Sequence, residues 1–187
     1  MSHTTIFVFD ENGNAEDYEE INNSWRGAMA IWTFLEEKYL PQFRPKYVPE
    51  DIPDFLIEEF CHFKPKRTGS DISDMQDIWE LVNSPEVDVV DKICLATTFD
   101  SMVVRIEEID RIIEAFQAFQ GNSSLREQAD TLERIKNEGK FVAIAWNQTS
   151  VCEFPWAVYD EEEDTCEPYN LYKGSKHCFL FDELEDD

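Results

Sequence analysis

The sequence predicts a single α+β domain, residues 1–187, with a mostly antiparallel sheet of five or six strands and several amphipathic helices packed mainly on one face. Three observations predict it. Short apolar runs rich in β-branched or aromatic residues recur, as at Ile6–Phe9, Ile93–Thr98 and Phe141–Trp146. Between them lie segments whose apolar residues repeat at helical spacing. No internal repeat and no linker divides the chain, and 187 residues suffice for one full core.

Taken in order, Thr4 to Asp10 reads as a strand closed by the turn residues Glu11, Asn12, Gly13 and Asn14. Asp10 to Glu20 holds six acids and no base, which reads as a solvated loop or as one lobe of an acidic binding face. Ser24 is placed to cap a helix that runs to about Leu40 and buries Trp25, Ala28, Met29, Trp32, Leu35 and Tyr39, with Pro41 ending it. Pro41 to Pro49 is a connector, and Pro53 starts a helix to about His62. Lys64, Lys66 and Arg67 form the only basic cluster, read as a loop against acidic neighbours. Ser73 and Gln76 make a capping box ahead of Ile78, Trp79 and Val82, and Ser84-Pro85 starts a short helical turn.

The stretch from Ile93 to Phe119 reads as strand, tight turn at Asp100-Ser101, return strand Met102–Ile106, then helix. In that helix Ile109, Ile112, Ile113, Phe116 and Phe119 share one face, and Gly121 is the expected C-cap. A second helix starts at the capping box Ser124/Glu127, buries Leu125, Ala129, Leu132 and Ile135, and stops at Gly139. Phe141–Trp146 is a strand. Val151–Tyr159 is another, broken at Pro155 and therefore expected at an edge. Asp160–Asp164 is an acidic hairpin tip or loop, Tyr169–Tyr172 a brief pairing segment, and Lys176–Phe181 a last strand before an acidic tail at residues 182–187.

Composition limits the chemistry. Apolar residues make up 42% and aromatics 13%, too many for a disordered acidic segment. No apolar run reaches the roughly 18 residues of a membrane span. The start MSHTTIFVFDENG lacks the basic and cleavage-site features of a signal peptide, so a cytoplasmic location is expected. Cysteines 61, 94, 152, 166 and 178 are odd in number and form no CxxC pair, which suits reduced thiols. The sequons at Asn122 and Asn147 are then chance matches. Formal charge is −25, from 41 acidic and 16 basic residues. That repels nucleic acid and anionic membrane and attracts basic surfaces. Solubility alone, or a halophilic origin, would also produce acidity. However, nine of the sixteen bases are lysine and large apolar side chains are plentiful, which argues against the halophile.

Motifs for catalysis are sparse. The dipeptides Cys61-His62 and His177-Cys178 hold zinc-ligand types, but neighbours in a helix or strand point apart. Cys152 or Cys166 with His177 is the available thiol–imidazole pairing. There is no nucleophile elbow, no GxGxxG and no Walker A, so no cofactor is expected. Aromatics lie beside acids: Tyr18 in the first acidic stretch, and Trp156, Tyr159, Tyr169 and Tyr172 around the second. That pairing suits arginine, which stacks on a ring while bonding a carboxylate.

Four stretches, SWRGAMAIW (24–32), ATTFDSMVV (96–104), GNSSLREQADTLE (121–133) and AWNQTSVCEFPW (145–156), resemble uncharacterised acidic proteins of phages and prophages. The resemblance implies no catalytic residue. It implies a phage or prophage setting in a bacterial host cell, where small, very acidic proteins are often similar in role to inhibitors of host defence, some acting as DNA mimics. The leading expectation is thus a non-enzymatic acidic inhibitor of a nucleic-acid-binding nuclease complex, such as a CRISPR effector or a restriction enzyme. The residues expected to carry it are Asp160, Glu161, Glu162, Glu163 and Asp164, then Glu16, Asp17, Glu19 and Glu20, with the helical row Glu107, Asp110 and Glu114. An immunity protein against a cationic nuclease toxin is an alternative, and a small cytosolic hydrolase using carboxylates is a second.

Overall fold

A computed structural model describes residues 3–22, 27–40, 78–148, 155–160 and 164–185. Strands β1 (His3–Phe9) and β2 (Ala15–Asn22) form an antiparallel hairpin. Its turn is the expected one. The Asp10 carboxylate accepts the N–H groups of Asn12 and Asn14 at 2.9 and 2.8 Å, and Gly13 has a φ of +81°. These backbone donors hold the Asp10 carboxyl below its ordinary range. The acidic stretch after the turn is not a loop. It pairs with β1 from Phe9↔Ala15 to His3↔Asn22, with a bulge between Ile6 and Phe7. Ladder pairing overrides the poor strand propensity of Glu and Asp, and charge suits an edge strand.

Helix α1 (Gly27–Tyr39) follows, with Ala28, Trp32 and Leu35 buried as expected, whereas Met29 is exposed. A 3₁₀ turn (Glu80–Asn83) leads to α2 (Val89–Ala96). Here the structure corrects the sequence reading: Ile93 to Ala96 are helical, not a strand, and Thr97 and Thr98 are in the turn beyond. A six-residue apolar run does not reveal its period. Ile93, Cys94, Leu95 and Ala96 are all buried, so the run is apolar because the end of α2 is enclosed on every side.

Strand β3 (Met102–Arg105) and a 3₁₀ turn (Ile106–Glu108) lead into α3 (Ile109–Ala118). Its predicted face, Ile109, Ile112, Ile113, Phe116 and Phe119, is buried throughout. Gly121 is not its C-cap. The chain leaves the helix at Phe119 (φ −59°, ψ 129°), and the backbone at Gly121 presses on the rings of Phe119 and Phe34, where a Cβ would collide. Helix α4 (Leu125–Glu138) buries the expected stripe and stops at Gly139, which is left-handed at φ +64°. The Ser124/Glu127 capping box does not form; the Ser124 hydroxyl instead accepts a bond from the Gln128 amide at 3.1 Å.

Strand β4 (Ala143–Asn147) is buried along its length. Strands β5 (Ala157–Asp160) and β6 (Thr165–Pro168) form a separate two-stranded ribbon. The expected strand Lys176–Phe181 shrinks to β7 (Cys178–Phe179), because Leu180 and Phe181 start helix α5 (Leu180–Glu185). Both are buried, and neighbours on a strand point to opposite faces. Asp182 to Glu185 are therefore helix rather than tail.

The main sheet has the order β2-β1-β4-β3-β7, antiparallel except for the β3–β7 pair. Alternation splits its side chains. Ile6, Val8, Val104, Ile144 and Trp146 face a core to which the helices bring Ile31, Leu35, Ile112, Phe116, Leu132 and Leu180. Phe7, Phe9, Val103, Ala143 and Ala145 face a smaller core closed by Trp156, Tyr169 and Leu171. The helices thus cover one face, as the sequence predicted. The Ser24 cap, the connector and helix expected between Pro41 and His62, the basic cluster, the Ser73/Gln76 capping box, Cys61, Cys152 and residues 186–187 lie outside the described residues.

Candidate partner-binding surface

Acid outnumbers base so heavily that the placement of the cations decides what surface remains. The described lysines and arginines are largely occupied within the chain. Lys38 Nζ is 2.7 Å from both Asp88 and Asp91. Arg105 grips Asp182 with two nitrogens, at 2.8 and 2.5 Å, and lies over the Phe179 ring at 3.8 Å. Lys136 reaches Asp110 at 2.5 Å, Lys140 reaches Glu138 at 2.8 Å, and Arg134 pairs with Glu19. Arg111 stacks over Phe181, and Lys176 lies over Tyr169 and bonds the Pro155 carbonyl. The Lys38 ammonium holds Asp88 below its ordinary range, Arg105 does so for Asp182, and Lys140 with the Tyr18 hydroxyl does so for Glu138.

The predicted acidic residues fall in three places. Glu16, Asp17, Glu19 and Glu20 lie on β2, an edge strand, and alternation parts them. Glu19, opposite Ile6, faces the helices, accepts the Thr131 hydroxyl at 2.7 Å and pairs with Arg134. Glu20, opposite Thr5, faces the other way and lies 3.0 Å from His3. Glu16 and Asp17 are exposed. Glu107 sits in the 3₁₀ turn before α3, with Asp110 and Glu114 on that helix's outer face; Lys136 neutralises Asp110. Of the segment Asp160–Asp164, Asp160 ends β5 and pairs with Thr165. Glu161, Glu162 and Glu163 lie outside the described residues; Asp164 is exposed at φ +52° and accepts a hydrogen bond from the Tyr159 hydroxyl. That bond raises the Tyr159 pKa above its ordinary value.

Two of these groups share one end of the molecule. The Ala15 N–H bonds the Tyr169 carbonyl at 2.8 Å, the Leu171 N–H bonds the Gly13 carbonyl at 2.7 Å, and Asn170 bridges to Asn14. The ribbon's base is thereby fixed beside the β1–β2 turn and the start of β2. Asp17, opposite Phe7, faces the same side of the sheet as the ribbon. The row Glu107, Asp110 and Glu114 lies on the helix-covered side, so the three groups do not make one contiguous face.

The aromatics predicted near acid also divide. Trp156 and Tyr169 are core, and Tyr18 packs on Phe141 with its hydroxyl 2.7 Å from Glu138. Tyr159 and Tyr172 are exposed, as is Val158, which the sequence reading passed over. Nothing local marks it, since Trp156, Ala157, Val158 and Tyr159 are all apolar and show no alternation. Also missed were buried Asp91, held by Lys38 and Tyr39, and a buried polar network joining Gln128, Gln148 and Thr97. Polar residues that meet only in space carry no local signal.

For catalysis the geometry offers little. The Tyr169 hydroxyl engages His177 Nδ1 at 2.7 Å; of the two candidate thiols for this imidazole, Cys166 is exposed on β6 and Cys152 lies outside the described residues. Cys94 is buried, which pushes its thiol well up, and burial also raises Cys178. A cleft of about 210 Å³, lined by Phe99, Met102, Leu180 and Leu184 with Glu183 and Asn83, is mostly apolar. Among the described residues, no three His, Cys, Asp or Glu side chains converge as metal ligands, and no helix is long and apolar enough to cross a membrane. No family model, curated protein or solved structure matches the chain.

Proposed function

We propose that this protein is a non-enzymatic acidic inhibitor that binds the basic nucleic-acid-binding surface of another protein, with a host defence nuclease complex as the expected class of target. The observation that carries the reading is the use of the cations: the described lysines and arginines are mostly bound to carboxylates or rings of the same chain. The surplus of acid behind the net charge of −25 is therefore left for solvent and for a partner. Such a surface raises the encounter rate with a cationic cleft and repels nucleic acid itself. Exposed Tyr159 and Tyr172 beside it supply faces on which guanidinium groups stack. The test is affinity capture from a bacterial lysate at low salt, followed by a salt ramp and mass spectrometry. A nuclease complex retained at low salt and released as salt rises supports the reading. Retention of no nucleic-acid-binding protein at any salt removes it.

A further inference from the structure

We infer that the β5–β6 ribbon is the element that enters the partner, and that the groove it enters is one built for a single nucleic-acid strand. The inference rests on the inhibitor reading and narrows it to one element and one kind of groove. The ribbon pairs Ala157↔Pro168, Val158↔Glu167, Tyr159↔Cys166 and Asp160↔Thr165. Successive side chains alternate, so Val158 with Glu167 and Tyr159 with Cys166 occupy opposite faces. Both faces are open: every residue of β6 is exposed, and Val158 and Tyr159 are 52% and 57% exposed. The second core ends at the ribbon's base, with Trp156 and Tyr169. Among the described residues no third strand joins the ribbon, and a two-stranded ribbon by itself is marginal in water. The ribbon thus exposes a large apolar group on each face, Val158 on one and Tyr159 on the other.

Charge selects the occupant. A second copy would bring one surplus of acid against another, and an anionic membrane would repel the chain in the same way. A cationic groove is complementary. Its shape follows from the ribbon's. Two paired strands with their side chains fit a slot of about 12 Å, the width that admits a β-ribbon in a DNA major groove. Grooves for single strands combine cations that track phosphates with aromatic platforms that stack bases. The ribbon presents a matching pair, since the Tyr159 hydroxyl is tied to the Asp164 carboxylate and ring and charge are fixed side by side. The ring meets the platform and the carboxylates, Glu167 included, meet the cations.

The test uses the full chain against two purified probes. One is an OB-fold single-strand-binding protein carrying a labelled oligothymidylate; the other is a helix-turn-helix repressor carrying a labelled operator duplex. The expected result is displacement of the oligothymidylate but not of the duplex. Val158→Ser/Tyr159→Ser and Asp164→Lys/Glu167→Lys each weaken displacement tenfold or more. Glu86→Lys/Asp130→Lys, the same charge change on the helix-covered side of the sheet, stays within twofold. All these positions are exposed, and unchanged circular dichroism and melting temperature confirm that the variants fold. Equal losses in the two charge-reversed variants with none in the serine variant would overturn the ribbon assignment and leave the inhibitor reading standing. Displacement of the duplex alone would overturn the single-strand groove in the same way. Displacement of neither would overturn the single-strand groove, while the inhibitor reading stands or falls on the lysate capture.

Discussion

Asp91 is 3% exposed, and its carboxylate accepts the Lys38 ammonium and the Tyr39 hydroxyl, each at 2.7 Å. Burying a carboxylate is tolerable only because both bonds are made. Asp91→Ala removes a charge-assisted pair whose other members remain, and should cost about 1.5–3 kcal/mol, read as a lower urea midpoint. A loss below about 0.5 kcal/mol, as for an ordinary surface change, would show that the pair is dispensable. His177 gives a second prediction. Burial holds its imidazole below the ordinary value, and Nδ1 is engaged by Tyr169. The folded chain then binds fewer protons there than the unfolded chain. The contribution is fully present above about pH 6.5 and is lost as pH falls through the lower folded value. His177→Gln should flatten the dependence of the melting temperature on pH in the window just below that point. An unchanged profile would rule His177 out as its source.

At the scale of elements, what was legible followed periodicity and punctuation. The faces of α3 and α4, the Gly139 stop and the Asp10–Asn14 turn were readable because each is set by neighbours in sequence. The misreadings share one cause. The end of α2 resembles a strand because enclosure removes its polar face, β2 resembles a loop because pairing with β1 rather than propensity makes it a strand, and α5 resembles strand and tail because the burial of Leu180 and Phe181 is fixed by tertiary packing. Of the candidate surface, the grouping of the acids was not legible, since facing depends on register and layer. The packing of α5 is itself testable. Leu180 is fully buried among core residues, so Leu180→Ala should cost about 2–5 kcal/mol, measured by chemical denaturation. A cost near zero would mean that the C-terminal helix is not part of the cooperative core.

For the molecule as a whole, charge acts on stability and on binding in opposite senses. A net charge of −25 repels itself across a small domain, and salt screens that repulsion. Salt also weakens the exposed pairs such as Lys136–Asp110, but each of those contributes little. The melting temperature should therefore rise as sodium chloride is raised from low to physiological concentration, and a fall would mean that the internal pairs outweigh the self-repulsion. Binding to a cationic partner should weaken over the same range. The measurement that tests the central claim most directly is competition on the captured partner: whether it holds its nucleic acid and this protein at once, followed by fluorescence anisotropy of a labelled oligonucleotide as the protein is titrated in. The account predicts mutual exclusion, with the protein's apparent affinity falling as salt rises. A ternary complex in which the oligonucleotide stays bound at saturating protein would contradict it.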